Sequence, residues 1–396
     1  MNITLLVSSM GSGGAERVAA TLVNAWSARG DTVTLVATYR RSTPCFYALS
    51  DAVRFVRLAD RVKQPRGGAL GYLERQRALR AVIAESRPDV VVCFLYNVNV
   101  AGILASLRQR VPLIVCEHND PSVDGRSRFW RLATRLAYPH ADAVTVLTEN
   151  VVEPFRAMVP GVRHMAVMPN PLPPELFRES GPRALAAENG RMRLASFGRL
   201  HPQKNYGLLI DAFASIASRF PMWDLTIWGE GAERASLQAK IEGHGLGERI
   251  SLPGVTSDPW TEMRRAQAFA MSSRFEGFGL ALAESMALGV PAVAVDCKSG
   301  PRDITRNGED ALLVPPNDRD ALADALARLL GDERLRAELG RKGAQSMRER
   351  YSVDAILRLW DALFQRVGVR AAGIHAPQSA NVRNRRGTTT LHGTRP

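Results

Sequence analysis

The chain has 396 residues, 45% of them apolar, which is enough for two domains of ordinary size and too apolar for a disordered polymer. No stretch approaches eighteen uncharged apolar residues, so no membrane-spanning helix is predicted, and four cysteines without C-x-x-C spacing read as core residues of a reducing compartment. The formal charge of +13 asks for a polyanionic neighbour, and the absence of an RNP1 or zinc-finger pattern puts an anionic membrane surface ahead of nucleic acid.

Without a basic region before it, Ile3 to Val7 reads as a first strand and not as part of a signal peptide. A glycine turn (Gly11 to Gly14), a helix from Ala15 to Arg29 and a strand from Thr32 to Ala37 follow, in Rossmann-like order. The dinucleotide fingerprint is incomplete, because Glu16 stands where its third glycine belongs. Arg40 and Arg41 follow the second strand in place of an acidic residue, which keeps an NADP oxidoreductase open as an alternative. A basic connector (Arg61 to Gly71) leads to a helix from Tyr72 to Ser86. Short buried strands then recur at Val90 to Leu95, Leu113 to Glu117, Ala143 to Leu147 and Met165 to Met168. Helical patterns between most of them predict a parallel sheet with right-handed crossovers.

Within this half, Arg126 to Tyr138 has the pattern of an amphipathic helix. Arg128, Arg131 and Arg135 share one face, Phe129, Leu132 and Leu136 the neighbouring one, and Trp130 and Tyr138 are ring types that favour a bilayer interface. With the basic run Arg54, Arg57, Arg61, Lys63 and Arg66, this helix predicts docking on an anionic membrane. The other outcome is an ordinary amphipathic helix packed on its domain.

Pro169-Asn-Pro-Leu-Pro-Pro174 ends the first half, and residues to about Gly190 read as a linker. A second alternating block follows. Its strands are Leu194 to Phe197, Asp224 to Trp228, Ile250 to Leu252, Ala268 to Met271 and Leu312 to Val314. Its helices are Asn205 to Ser218, Ala232 to Glu242, Trp260 to Gln267 and Ala321 to Leu330. A last helix covers Ser352 to Arg366. From Ala371 the chain has neither acidic residues nor periodicity and is expected to be disordered. The domains are therefore set at 1–175 and 190–350, with a C-terminal helix over 351–368 and a basic tail over 371–396.

The most specific stretch is 272–305. Gly277 and Gly279 flank an aromatic just before an apolar helix (Leu280 to Leu288), an arrangement that places free backbone N–H groups where phosphate binds well. Gly289 caps that helix, Pro291 forbids its continuation, and Ala292 to Val295 is a buried strand. Glu276 lies on the loop and Glu284 inside the helix, where a buried carboxylate needs a partner, either a neighbouring arginine or a ligand. The Glu-x7-Glu frame, the Gly-Phe-Gly turn and the Gly-Val-Pro exit together resemble the donor-site signature of retaining glycosyltransferases of family 4. The resemblance spans roughly residues 1 to 365.

That resemblance implies a GT-B fold: α/β, two Rossmann-like domains with parallel sheets facing an interdomain cleft. The first domain would bind the acceptor and the second the nucleotide-sugar donor, and the last helix would cross back to the first domain. Glu276 would contact the donor sugar, the amides around Phe278, Gly279 and Leu280 the sugar and diphosphate, and Glu284 the ribose hydroxyls. Arg199 and Lys204, in Phe197-Gly-Arg-Leu-His-Pro-Gln-Lys-Asn205, are cations beside a helix start and match the family's diphosphate ligands. Gly13 and Gly14, in Gly-Gly-Ala-Glu16, match a turn that faces the cleft. Gly229 and Val255 fall in turns matching those near the nucleotide base, although both also suit plain strand-to-helix turns.

His118 follows a strand, at the sheet edge where ligands bind, and matches a histidine that contacts the donor sugar, with Glu117 and Asp120 placed to tune it. Asp303 stands in Lys298-Ser-Gly-Pro-Arg-Asp303, which resembles the loop lining the sugar pocket. The implied enzyme is a retaining hexosyltransferase, with His118, Glu276, Arg199 and Lys204 as its catalytic set. It needs no cofactor and no metal, because Asp318-Arg-Asp320 follows Pro315-Pro-Asn317 and reads as a helix cap. The expected partners are a nucleotide-sugar donor (UDP favoured over GDP), a glycan or polyprenyl-linked acceptor and an anionic membrane surface, but no nucleic acid. The expected location is the cytoplasmic face of the plasma membrane. A nucleotide-sugar epimerase and a non-catalytic sugar-nucleotide-binding module of the same fold remain as alternatives.

Overall fold

The computed structural model describes residues 1–11, 13–39, 45–62, 68–119, 125–178 and 190–369. The predicted tail, Arg40, Arg41, Lys63, Arg66, Asp120 and most of the linker lie outside them. Thirteen strands fall into two sheets. The first is built from β1 (Asn2–Val7), β2 (Thr32–Ala37), β3 (Arg54–Arg57), β4 (Val90–Phe94), β5 (Leu113–Cys116), β6 (Ala143–Val146) and β7 (Met165–Val167), in the order 3-2-1-4-5-6-7. The second has β8 (Met192–Phe197), β9 (Trp223–Trp228), β10 (Ile250–Gly254), β11 (Ala268–Met271), β12 (Ala292–Val295) and β13 (Leu312–Val314), in the order 10-9-8-11-12-13. Every pairing is parallel.

Parallel strands need helical crossovers on both faces of the sheet, so the central strands are buried on both sides. That is why β4, β5 and β12 are unbroken apolar runs. The cysteines are free, and burial pushes the thiols of Cys116 and Cys297 up to about 12, as for small apolar core residues.

Two elements escaped the sequence. Strand β3 lies inside the predicted basic run, and its first residue Arg54 and the nearby Arg61 pair with Glu85 at 3.5 and 3.3 Å. A charged, half-exposed strand is how a sheet edge is protected from further pairing. Part of the basic run is therefore an edge device, already neutralised by Glu85. The helix Glu333–Tyr351 buries small residues: a Cβ on Gly340 would stand 2.5 Å from the Gly289 carbonyl oxygen. Contacts made through glycine leave little hydrophobic period to read.

The amphipathic helix is shorter than predicted, spanning Arg128–Ala137. Arg126 is buried, paired with Glu117 at 2.7 Å and lying over the Tyr96 ring. Tyr138 is buried too and donates its hydroxyl to Glu117. Neither is available to a membrane. Trp130 packs edge-on to Tyr96, whereas Arg128, Phe129, Arg131, Leu132, Arg135 and Leu136 are exposed. No helix among the described residues is long and apolar enough to cross a membrane.

The chain passes between the sheets twice, and the two passages touch. The Leu172 N–H donates to the Tyr351 carbonyl at 2.8 Å. Ser352 caps the last helix, Val353–Arg366, by accepting from the Ala355 N–H. That helix lies on Gly14–Ala28 of the first unit, with Trp360 edge-on to Trp26 at 5.6 Å and Arg29 paired with Asp361 at 2.7 Å. Trp26, Trp360 and Phe364 form a ring cluster, and fully buried aromatics of this size dominate local stability. Trp360→Ala should cost about 3–5 kcal/mol, read as a lower urea midpoint for the transition that includes the first sheet. A shift below about 0.5 kcal/mol would show that the returning helix holds nothing in place.

Candidate active site

The loop that follows β11 carries the site. Gly279, at φ +101°, turns the chain into the helix Leu280–Ala287 through a conformation that glycine alone adopts without strain. Gly300 closes beneath it, since a Cβ there would stand 1.8 Å from the Phe278 carbonyl oxygen. Phe278 is buried edge-on to Tyr351 at 5.3 Å. Its ring therefore anchors the loop and leaves only backbone to a ligand. The Glu276 carboxylate accepts from the Ser273 hydroxyl at 2.6 Å and pairs with Lys204 Nζ at 2.6 Å. Its carbonyl accepts from Ser299.

Lys204 comes from the turn after β8. The helix here is Tyr206–Ile216, one residue later than predicted, with Asn205 at φ +52° before it. Arg199 is exposed on the same turn and, among the described residues, donates to Gln203 at 3.5 Å. Gln203 in turn donates to the Phe275 carbonyl at 3.0 Å, so this turn and the Glu276 loop are tied together. The glycine turns after β8 and β9 are in closest contact: a Cβ on Gly229 would stand 1.9 Å from the Gly198 carbonyl oxygen. The Gly229 N–H continues the stack to the Gly254 carbonyl. Val255 is left 74% exposed at the end of it.

The first sheet contributes from its own carboxyl edge. Gly14 meets the second unit, where its Cβ would stand 3.1 Å from Leu280 Cδ1, while Gly13 is closed over by Glu16. His118 sits on the Phe94 ring, centroids 4.1 Å apart. Both of its ring nitrogens are shielded from water and lack a hydrogen-bond partner among the described residues, and burial pushes its pKa down to about 3. A neutral imidazole with unmet nitrogens is a group waiting for a polar ligand. Glu117 does not tune it, being engaged with Arg126 and Tyr138. The His118 carbonyl lies against the other unit, so that a Cβ on Gly277 would stand 2.2 Å from its oxygen. The loop of Glu276 and the histidine are thus brought together from opposite domains.

Two cross-domain contacts had no signal in the sequence. Glu284, buried on its helix, pairs at 2.6 Å with Arg17 of the first unit. An arginine partner was foreseeable, its arrival from the other domain was not. Asp303 accepts from the Glu149 N–H at 3.0 Å, so this carboxylate bridges the domains. The Asp318 carboxylate accepts from the Ala321 N–H and caps its helix, and Asp320 pairs with Arg319. Among the described residues no cluster of three His, Cys, Asp or Glu is placed to hold a metal ion.

Two family matches cover the chain: glycosyl transferase 4-like domain over residues 13–171, and glycosyl transferases group 1 over 178–346. The chain belongs to the group 1 glycosyltransferases.

Among its relatives is the exopolysaccharide phosphotransferase of Streptomyces coelicolor, 35% identical over 75% of this chain. The chain spans only 30% of that relative's length. A Campylobacter jejuni α-1,4-N-acetyl-D-galactosaminyltransferase, named for a diphospho-undecaprenol acceptor, is 27% identical over 93% of this chain and 99% of its own. In structure, HepE of Anabaena, solved with UDP and glucose, superposes with a TM-score of 0.75 at 22% identity, covering 92% of this chain and 99% of HepE. Two parallel-sheet Rossmann-like domains in this arrangement are the GT-B fold.

In this glycosyltransferase the low pKa of His118 has a measurable sign. The unfolded chain takes up the proton near pH 6.5 and the folded one near 3. The histidine's contribution is therefore complete above the first value and is lost as pH falls toward the second. His118→Gln should flatten the fall of the melting temperature between about pH 6.5 and 4. Parallel curves for mutant and wild type would mean that His118 is solvated.

Proposed function

We propose that this glycosyltransferase transfers a hexose from a UDP-sugar to a hydroxyl of a lipid-linked or cell-surface glycan, with retention at the anomeric carbon. One observation carries the proposal: the loop of Glu276, which pairs with Lys204 in the second domain, meets the His118 backbone of the first at Gly277. Lys204, with Arg199, neutralises the diphosphate; His118 and Glu276 hold the sugar from its two sides; Glu284 accepts from the ribose. The glycine turns at Gly229 and Gly254 present backbone and Val255 an apolar surface to the base. UDP is favoured because HepE, of the same fold, was solved with it.

The C1–O bond to the diphosphate breaks and a bond from C1 to the acceptor oxygen forms on the same face. The acceptor proton passes to the departing phosphate oxygen. The protein's part is positioning and charge stabilisation. Lysine and arginine beside the diphosphate take the place a divalent ion would fill, and Asp318 is spent on its helix cap. Lys204→Ala should lose about 2–4 kcal/mol of transition-state stabilisation, measured as kcat/KM with a UDP-hexose panel. Turnover within twofold of wild type would remove Lys204 from the site, and activity that EDTA abolishes and Mg²⁺ restores would overturn the metal-free mechanism.

A lipid-linked acceptor, as named for the Campylobacter relative, requires the enzyme to reach a membrane. The exposed face of Arg128–Ala137 supports this, with Phe129, Leu132 and Leu136 beside Arg128, Arg131 and Arg135. Three arginines near an anionic leaflet supply about 3 kcal/mol before ordering costs, enough for reversible attachment. Co-sedimentation with vesicles containing phosphatidylserine should fall in high salt and when the three arginines are changed to Glu. Binding that ignores salt, lipid charge and the mutations would leave a solvated helix.

A further inference from the structure

The residue that the proposed mechanism leaves unused is Arg17. It lies one turn inside the helix Gly14–Ala28, and its guanidinium reaches the other domain, 2.6 Å from Glu284 Oε1. This is the ion pair that Glu284 makes among the described residues. The approach is off the hydrogen-bonding direction, because the same oxygen, fully covered, accepts no well-directed hydrogen bond among the described residues. Nearby, the indole N–H of Trp260, on the short helix Pro259–Arg264, is buried and makes no well-directed hydrogen bond among the described residues. It is close enough to Glu284 to act as a hydrogen-bond donor that favours the charged carboxylate. A carboxylate oxygen and an indole N–H that meet without good hydrogen-bond geometry are the complement of a hydroxyl, which donates to the first and accepts from the second.

We propose that Arg17 is a positioning residue through which closure of the two domains readies Glu284 to read the ribose hydroxyls of the donor nucleotide. The proposal rests on the assignment of Glu284 to the ribose. A carboxylate inside this helix is strongly desolvated, and burial raises its pKa while Arg17 lowers it. Glu16 and Tyr47 are the other titratable groups near the pair. Without Arg17 the carboxyl is driven toward its neutral form and its orientation is no longer fixed. The helix bearing Arg17 begins where Gly14 meets Leu280, at the start of the helix bearing Glu284. Opening the cleft separates these two starts and withdraws the guanidinium with them. Domain closure and ribose recognition become one event, and a nucleotide bound to the second domain alone is held less well.

The test is calorimetric binding of UDP and 2′-deoxy-UDP to the full chain, with GDP and its 2′-deoxy form in parallel, for wild type, Glu284→Ala, Arg17→Ala and Arg17→Lys. A hydrogen bond to a charged group predicts that wild type prefers the ribonucleotide by about tenfold or more. Glu284→Ala should erase that preference. Arg17→Ala should cut it to about threefold or less while weakening the deoxy form little, and Arg17→Lys should restore most of it. A merely structural arginine would weaken both nucleotides alike. Arg17→Gln, neutral and of similar shape, serves the same comparison if the alanine variant melts early. If Glu284→Ala loses the preference and the neutral Arg17 variants keep it, or lose both nucleotides equally, the role of Arg17 is overturned and the ribose assignment stands. If Glu284→Ala keeps the preference, the ribose assignment falls, and the role of Arg17 with it.

Discussion

The rest of the site depends on one close approach, that of the Gly277 backbone to the carbonyl of His118. A single methyl group at position 277 would stand 2.2 Å from that oxygen, nearer than any carbon can come. The two domains can therefore meet at this point only through glycine, and the meeting sets how far Glu276 lies from the imidazole. Three further contacts repeat the same closure, at Gly14 with Leu280, at Arg17 with Glu284 and at Asp303 with the Glu149 N–H. Each joins the carboxyl edge of one sheet to that of the other. The candidate site belongs to the interface, and neither Rossmann-like unit holds all of its residues.

Charge is handled differently on the two sides of the cleft. In the second domain Lys204 and Glu276 neutralise each other within one unit, supported by Ser273 and Ser299. A buried pair of this kind is retained for geometry more than for stability, since desolvation offsets most of its attraction. The first domain instead presents a neutral imidazole, held so by burial. Glu284 is the exception, a buried carboxylate whose countercharge lies across the interface. Separating the domains leaves it unpaired unless water enters. The electrostatics thus favour a closed cleft even before the ligand contributes.

The net charge of +13 is distributed with a purpose that the total does not reveal. Arg126 serves the core beside Glu117, Arg29 clasps Asp361 of the returning helix, and Arg54 and Arg61 guard an edge strand with Glu85. On the helix Arg128–Ala137 three exposed arginines stand beside three exposed apolar residues, Phe129, Leu132 and Leu136. This helix is basic and apolar on its outer side and packs on its domain through Thr134 and Ala137.

The sequence by itself determined the fold class and named most of the residues that line the candidate site. Runs such as Val90 to Phe94 and Ala292 to Val295 are local statements that a strand is buried on both faces. Gly279, Gly289 and Pro291 are local statements about where a helix begins and ends. The Glu-x7-Glu frame and the Gly-Arg-Leu turn carried Glu276, Glu284, Arg199 and Lys204 because loop and helix-start geometry is written in neighbouring residues. Tertiary structure alone decided which of these groups touch. No spacing in the chain reveals that Arg17 would answer Glu284, that Asp303 would accept from Glu149, or that Arg126 and Tyr138 would turn inward to Glu117 while Arg128 and Phe129 stayed outside. Those outcomes are set by packing between segments far apart in the chain, where an arginine destined for a buried carboxylate looks the same as one destined for water.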